Sequence, residues 1–573
     1  MTGNSFNDET LDRFKSLNTK KKSSELFSLL FKNKNIFISL LIILFVFILP
    51  VIRLFLMSFQ VNGSFSFENY TNILNEKFTW TVLKNTFLIV TGSTAISLIV
   101  GVALAWIIAY TNIRLKQWMQ LFILLPFVIP SYIVTIAWTQ FVGNIKAVEI
   151  NLYSIGGIIF ILGISHYPLV YLFTVNVLKK IPRELEWAVR ASGGGQFKAF
   201  LNVTLPLALP GIVGGGMIAF LSNLDNFGIP AFLGIPSNIT ILSTAIYQEV
   251  IGFGENAFSR AATFSVLLAI FALLATAIQW FLLRKSKVTE TAATDHSPRL
   301  YLGKSRPFVE FIIWLFIIGV SIVPLLSMVK TSLLKVYGLP FTFNNITLHN
   351  FNYLLYDYDK VASALLNSLK LAGLTTIICL IVGTLVAYFR IRKPSFLTKM
   401  LEVSISIPYT LPGMVLALAM IFAWMQPIPG WNPGIYGSIW ILLIAYVTRF
   451  MILQVRGSSS AFTQISVDLE EAAHISGANT WNKWRYILLP LILPSVLSGS
   501  ILVLLTTLTE LTISSLLWSS GSETIGVIIF NFEQAGYTTY STAFSVITLL
   551  FMGILAALVY SIIYIWQRSI KAS

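Results

Sequence analysis

The feature that most constrains this chain is its run structure: stretches of about 20 apolar residues recur along its length, separated by short polar segments. A helix of that length crosses the hydrocarbon core of a bilayer, and inside lipid each backbone N–H and C=O must be satisfied within its own helix. A membrane β-barrel would instead show segments of about ten residues alternating in polarity, and the sequence has none. Charged residues are only 11% of the 573, under half of the ~25% usual in soluble domains. Hydrophobic residues reach 56% and mean hydropathy is +0.78. The expected class is an all-α integral membrane protein.

Spans are expected near 36–58, 85–110, 118–141, 153–178, 206–227 and 258–283, and, after a polar linker, near 308–331, 367–389, 401–425, 435–455, 490–517 and 541–566. That makes about twelve transmembrane helices. They set a tail at 1–35, a first repeat at 36–284, a linker at 285–307 and a second repeat at 308–573. The first run follows a lysine-bearing tail and is expected not to be a cleaved signal peptide. Basic residues gather in the tail (Lys20, Lys21, Lys22), after the second span (Arg114, Lys116), at 179–198 and in the linker, while the alternate loops carry Glu68, Glu76, Glu149, Glu249 and Glu255. This asymmetry places both termini and the linker in the cytoplasm. It also accounts for the net charge of +15 without nucleic acid. The lone cysteine, Cys379, sits in an apolar run and reads as a small core residue.

The chain repeats itself. A shift of 282 brings Asn85-Thr86 onto Asn367-Ser368, Gly101 onto Gly383, Pro126 onto Pro408 and Pro130 onto Pro412. A shift of 284 brings Leu185-Glu186 onto Leu469-Glu470, Ser192-Gly193 onto Ser476-Gly477 and Leu205-Pro206 onto Leu489-Pro490. Six spans per copy is an even number, so the copies share an orientation and are related by an axis along the membrane normal. The interface on that axis is the natural place for a pathway.

Between the fourth and fifth spans of each copy lies a longer polar loop, 179–206 and 456–490. The second contains Glu471-Ala472-Ala473, then Gly477, then Ile487-Leu488-Leu489-Pro490; the first reads Glu186-Trp187-Ala188-Val189, Gly193 and Val203-Thr204-Leu205-Pro206. Helix formers followed by glycine predict a short helix and a stop. A second helical stretch then leads to the proline that opens span five, where proline is tolerated. Trp481, Trp484, Lys483 and Arg485 would also suit a segment lying on lipid. The same Gly-to-Pro spacing in both copies favours protein docking, because a surface helix needs only amphipathicity.

The pattern Glu-Ala-Ala-x3-Gly-x9-Ile-x-Leu-Pro resembles the EAA loop of binding-protein-dependent ABC importer permeases. The second copy matches at every position; the first has Trp187 for Glu and Val189 for Ala. The resemblance implies that Glu470, Glu471, Ala472, Ala473 and Gly477, with Glu186, Ala188 and Gly193 in the first loop, couple the chain to two cytoplasmic ATPase subunits. Glu186 aligns with Glu470, so the first loop keeps one carboxylate and the two loops are unequal. The chain has no Gly-x4-Gly-Lys-Ser/Thr phosphate loop. It is expected to be no enzyme and to carry no catalytic residue or cofactor, with ATP and Mg bound by the partner subunits. An extracytoplasmic substrate-binding protein and a bacterial inner-membrane location are further implications. The fused arrangement, with TyrProLeuValTyrLeu at 167–172, LeuAspAsnPheGly at 224–228 and GluLeuThr at 510–512, is similar to the ferric-iron importer subfamily. Related permeases carry thiamine, aminoethylphosphonate, sulfate or polyamines, so the solute stays open among these.

No metal site is expected in the chain, because His166, His296, His349 and His474 lack ligand spacing. His166 reads as a helix residue with a local partner. Of the intramembrane charges, Arg53, Asp225, Arg449 and Glu510, the two carboxylates lie at matching places, about 22–24 Å along span five at 1.5 Å per residue. They either line an external gate or binding-protein surface, or stand in outside water. Gly211 and Gly214 to Gly216 are expected to permit close helix packing. A secondary transporter would place acidic or histidine relays at mid-span, and a membrane enzyme would cluster a nucleophile or metal set. Neither pattern is present in the sequence.

Overall fold

The computed structural model describes residues 34–61, 64–145, 150–252, 254, 256–284, 297–425 and 434–572. The tail to residue 33, Glu149, Glu255, His296 and linker residues 285–296 lie outside the described residues. Helix dominates, as expected of a chain that must satisfy its backbone inside lipid. The first repeat runs α1 (Phe37–Ser58), α2 (Lys77–Tyr110), α3 (Lys116–Val128), α4 (Ser131–Gly143), α5 (Ile155–Leu178), α6 (Arg183–Ala191), α7 (Gln196–Asp225), α8 (Gly228–Ser237), α9 (Leu242–Gly252) and α10 (Ala257–Leu283). The second follows the same order: α11 (Gly303–Ser332), α12 (Asp359–Arg392), α13 (Phe396–Thr410), α14 (Gly413–Trp424), α15 (Ile439–Gln464), α16 (Val467–Ile475), α17 (Thr480–Leu508), α18 (Ile525–Gln534) and α19 (Thr538–Ala572).

Among the described residues ten helices are long and apolar enough to cross a membrane, and three bent pairs raise the number to 13 if each is one span. About twelve falls inside that range. Two of the expected straight spans are broken. Within 118–141 the axis turns by 101° between α3 and α4, and within 401–425 the chain breaks at the matching place between α13 and α14. In the first repeat Ile129 is pushed to ψ 134 ahead of Pro130, because the residue before proline is driven out of the helical region, and in the second the break falls at the matching Pro412, which stands extended at ψ 144 as the cap of α14. The segments after span five, expected as loop, are helical instead. Thr86 Oγ1 accepts the Leu242 N–H at the start of α9 (2.9 Å), and Ser368 Oγ accepts the Ile525 N–H at the start of α18 (3.0 Å). The Asn-Thr/Ser landmark of the repeat is thus a side-chain cap for the returning helix.

Close packing is present at Gly211, Gly215 and Gly216, where a methyl group would meet a neighbour at 2.8–2.9 Å, but not at Gly214, where the nearest atom is 3.7 Å away. A methyl group on Gly101 of α2 would lie 2.7 Å from Val170 Cβ and 2.8 Å from the Tyr167 carbonyl of α5, and one on Gly215 of α7 would lie 2.9 Å from Val170 Cα. Only residues without a side chain let these backbones approach so far.

By packing, the chain divides into two compact units. The larger comprises Arg53–Thr375, Thr410–Tyr446 and Leu504–Ser573, and so holds α2 to α11 with α14, α18 and α19. The smaller comprises Met1–Ile52, Thr376–Tyr409 and Val447–Val503, and holds α16, the bulk of α13 and α17, and the ends of α12 and α15. Packing and repeat therefore divide the chain differently.

Candidate functional site

In the second loop, Ser466 caps α16 by accepting the Asp468 N–H (3.1 Å). The helix ends in a left-handed glycine, Gly477 at φ +79°, with the Ala478 N–H bonded back to the Ala473 carbonyl (3.0 Å), the six-to-one bond of a Schellman closure. Asn479 caps the next helix through the Asn482 N–H (2.8 Å). That helix, α17, passes through one π turn at Trp484–Leu488 into the span without interruption. Glu470 and Ala473 face inward, while Glu471, Ala472 and Gly477 face out. Glu470 accepts from Arg392 Nε at 2.5 Å and Lys483 Nζ at 2.9 Å, and Arg392 also donates to the Ile465 carbonyl at 2.9 Å. Trp484 is half-buried and packs on Tyr388, with ring centroids 4.9 Å apart, a contact that a lipid-surface reading does not require.

The first loop has the same backbone. Gly193 stands at φ +86°, the Gly194 N–H bonds to the Val189 carbonyl (2.9 Å), and α7 carries its π turn at Phe200–Thr204. Ala188 and Gly193 are exposed. Glu186 is turned inward, accepting from Thr204 Oγ1 (2.7 Å) and Arg299 Nη1 (2.8 Å). Where Lys483 reaches Glu470 in the second loop, the aligned residue is Ala199. It lines a hollow of about 430 Å³ together with Trp106, Glu186, Phe197 and Arg299. Both loops expose apolar side chains at aligned positions, Leu185 and Leu469 (44% and 47%) and Phe197 and Trp481 (73% and 69%).

Asp225 and Glu510 both lie at the end of span five, as expected, and both are half-buried. Asp225 Oδ1 accepts the Gly413 N–H at the start of α14 (2.5 Å). Glu510 lies just past α17, and its two oxygens accept the Ile513 and Ser514 N–H groups (2.7 and 3.0 Å). Each carboxylate is thus engaged with backbone donors at a helix start, where negative charge is favoured. The two segments also come together: a methyl on Gly413 would lie 2.8 Å from Thr512 Cγ2, and one on Gly228 would lie 3.7 Å from Leu511 Cδ2. Arg53 donates to the Phe422 and Ala423 carbonyls (3.2 Å each). His166 is a bonded helix residue, its Nδ1 lying 2.7 Å from Asn223 Oδ1, while Asn223 donates to Thr94 (3.1 Å). Among the described residues no group of three or more His, Cys, Asp or Glu is placed to hold a metal ion.

Arg299 and Arg392 were not singled out in the sequence. Each lies far along the chain from the carboxylate it meets, and only the fold brings them together.

Two stretches, 97–287 and 379–572, match the family described as the binding-protein-dependent transport system inner membrane component. The matches begin 282 residues apart, the register of the internal repeat. The ferric transport system permease protein FbpB of Actinobacillus pleuropneumoniae is 23% identical over 532 residues, covering 90% of this chain and 76% of that protein. The Fe(3+)-transport system permease protein FbpB 2 of Haemophilus influenzae is 23% identical over 482 residues, covering 82% and 88%. The molybdenum transport system permease protein ModB of Escherichia coli is 28% identical over 190 residues, covering 31% of this chain and 83% of that protein. The chain belongs to the binding-protein-dependent transport system inner membrane components, carries two copies of that family's domain in one polypeptide, and is a permease subunit of an ABC importer.

Proposed function

We propose that this chain forms the translocation pathway of a ferric-iron importer and is driven by two cytoplasmic ATPase subunits seated on the loops 179–206 and 456–490. The observation that carries the coupling reading is the duplicated element itself: a short helix, a left-handed glycine, and a second helix continuous with span five. Because the second helix of each loop runs on into span five, displacement of the loop by nucleotide-driven closure of the ATPases moves the span as well. Glu471, Ala472, Gly477, Ala188 and Gly193 are the outward-facing contacts, joined by the aligned pairs Leu185/Leu469 and Phe197/Trp481. Glu470, Ala473 and Glu186 keep the loops in shape. ATP and Mg are bound by the ATPase subunits, and a substrate-binding protein delivers the solute from outside. The distribution of lysine and arginine supports cytoplasmic termini in a bacterial inner membrane.

Iron is supported by relatives named for ferric transport that align over most of both chains, whereas the molybdenum relative aligns with about a third of this chain. Thiamine or aminoethylphosphonate are the alternatives within the same importer class. Asp225 and Glu510 are assigned to the outer gate, because they close the ends of span five where the two repeats meet.

Two experiments test this. Vesicles holding the complete transporter and its binding protein are expected to accumulate radiolabelled iron(III), and not molybdate, thiamine or aminoethylphosphonate. Uptake of one of the others instead overturns the solute. The ATPase is expected to co-purify with the wild type and to be lost from Glu471→Lys; retention there counts against the coupling loops. Wild-type uptake by both Asp225→Asn and Glu510→Gln sinks the gate.

A further inference from the structure

The second loop is anchored from within its own repeat. Arg392, the last residue of α12, gives Nε to Glu470 and Nη2 to the Ile465 carbonyl. The shift of 284 aligns Glu470 with Glu186 and Ile465 with Ile181. The shift of 282 aligns Arg392 with Tyr110, so the first repeat has no arginine at the end of α2. Yet a guanidinium reaches the same two acceptors. Arg299, from the inter-repeat linker, donates Nη1 to Glu186 (2.8 Å) and Nη2 to the Ile181 carbonyl. It lies over the Tyr110 ring, 4.5 Å from its centroid, and donates to the Tyr110 hydroxyl (3.0 Å). The two arginine side chains are equally buried, 8% exposed for Arg299 and 9% for Arg392.

The chain around Arg299 is laid on the end of α2. The Arg299 and Leu300 N–H groups both donate to the Tyr110 carbonyl (2.8 Å each), and the Leu302 N–H donates to Asn112 Oδ1 (3.0 Å). A long, flexible side chain fixed at both its backbone and its guanidinium is unlike an exposed surface pair, which holds little. Its planar fork suits two acceptors at once, which an ammonium cannot match.

We infer that residues 297–302 are a strap that completes the first coupling loop, with Arg299 as a positioning residue doing there what Arg392 does in the second. The effect on ATPase docking rests on the coupling reading above; the strap itself does not. In one chain the two loops are thus held by different means, one by the end of a span in its own repeat and the other by the join between repeats. The join then does more than link two halves, since a first repeat cut off before residue 297 would leave Glu186 without its arginine.

The test uses the complete transporter with its ATPase, in three forms: Arg299→Ala, Arg299→Lys, and Arg299→Ala combined with Tyr110→Arg. Hydrogen exchange at 183–195 is expected to quicken about ten-fold in Arg299→Ala, while 467–479 stays at the wild-type rate. Arg299→Lys is expected to fall between. Tyr110→Arg, which places an arginine where the second repeat has Arg392, is expected to restore most of the protection. Unchanged exchange at 183–195, equal loss in both loops, or full protection in Arg299→Lys overturns the strap. Failure of Tyr110→Arg to restore protection overturns the equivalence with Arg392. Dissociation of the ATPase is read separately and is expected to quicken in Arg299→Ala alone. Faster exchange with wild-type ATPase retention upholds the strap and defeats the coupling reading instead.

Discussion

The left-handed glycine at the tip of the second loop allows a prediction whose size follows from the structure. Gly477 sits at φ +79°, where a residue with a Cβ meets its own backbone at a cost of about 1–2 kcal/mol. No atom lies within 4 Å of the place a Cβ would occupy, so no packing penalty adds to that figure. At about 1.4 kcal/mol per factor of ten, Gly477→Ala should reduce the population of the native turn roughly 5- to 30-fold. Asparagine tolerates the left-handed region better than alanine although it is larger, and a β-branched residue tolerates it worst. Measured affinity for the ATPase should therefore fall in the order Gly, Asn, Ala, Val. Gly193, at φ +86° and equally open, should give the same order at the first loop. Size and backbone strain rank alanine and asparagine oppositely, which makes that pair decisive. If asparagine binds more weakly than alanine, bulk at the docking surface governs the loss and the backbone argument is wrong.

Three further outcomes are expected. Gly101→Ala should lower the midpoint of thermal unfolding in detergent, because its methyl meets a carbonyl and a Cβ of α5 below 3 Å, an overpacking worth about 1–3 kcal/mol; Gly373→Ala, with nothing within 4 Å, should be neutral or stabilising, and equal effects would refute the packing account. Arg260 donates Nη1 and Nη2 to Glu76 (2.6 and 2.9 Å) and holds that carboxyl below its usual 4.5. A depressed folded pKa stabilises above the unfolded value and is lost as pH falls through the folded one. The stability gap between wild type and Glu76→Gln should then be constant from neutral pH down to about 5 and shrink below 4.5; a gap that widens on acidification would contradict this. Cys379 is fully buried, so a maleimide should label it only after denaturation, and rapid labelling of the folded transporter would show that α12 does not pack as described.

What could be read from the sequence was whatever is periodic or local. Hydropathy runs found the spans because the bilayer imposes one length on all of them. The loop helices and their glycine stops were legible because a helix former, a left-handed residue and a proline at fixed spacing are all local signals. The breaks at Pro130 and Pro412 are not legible in hydropathy, since the apolar run continues through each proline and hydropathy does not register a turn. The returning helices α9 and α18 were missed because their caps, Thr86 and Ser368, lie 156 and 157 residues away. For the same reason the sequence placed Asp225 at the end of span five but could not show that its carboxylate closes the start of α14, 188 residues on.

The comparison of the two loops separates what the geometry demands from what it merely uses. In both copies the acceptors stand at aligned positions: a carboxylate at Glu186 or Glu470 and a carbonyl at Ile181 or Ile465. The left-handed glycine is present in both. The donors differ, since Arg392 comes from the end of α12, the second span of its own repeat, and Arg299 from the linker beyond the sixth. A second donor is Lys483 in one loop and Thr204 in the other. An acceptor is fixed by the loop's own backbone path, which must deliver the same surface outward each time. A donor need only bring N–H groups to that place, and any chain passing nearby can do so. Glu470 is buried and Glu186 half-buried, and a carboxylate turned inward calls for such a donor, because an unpaired buried charge is costly. The inward-facing Glu186 therefore accounts for an arginine from residues 297–302 being held at the end of α2.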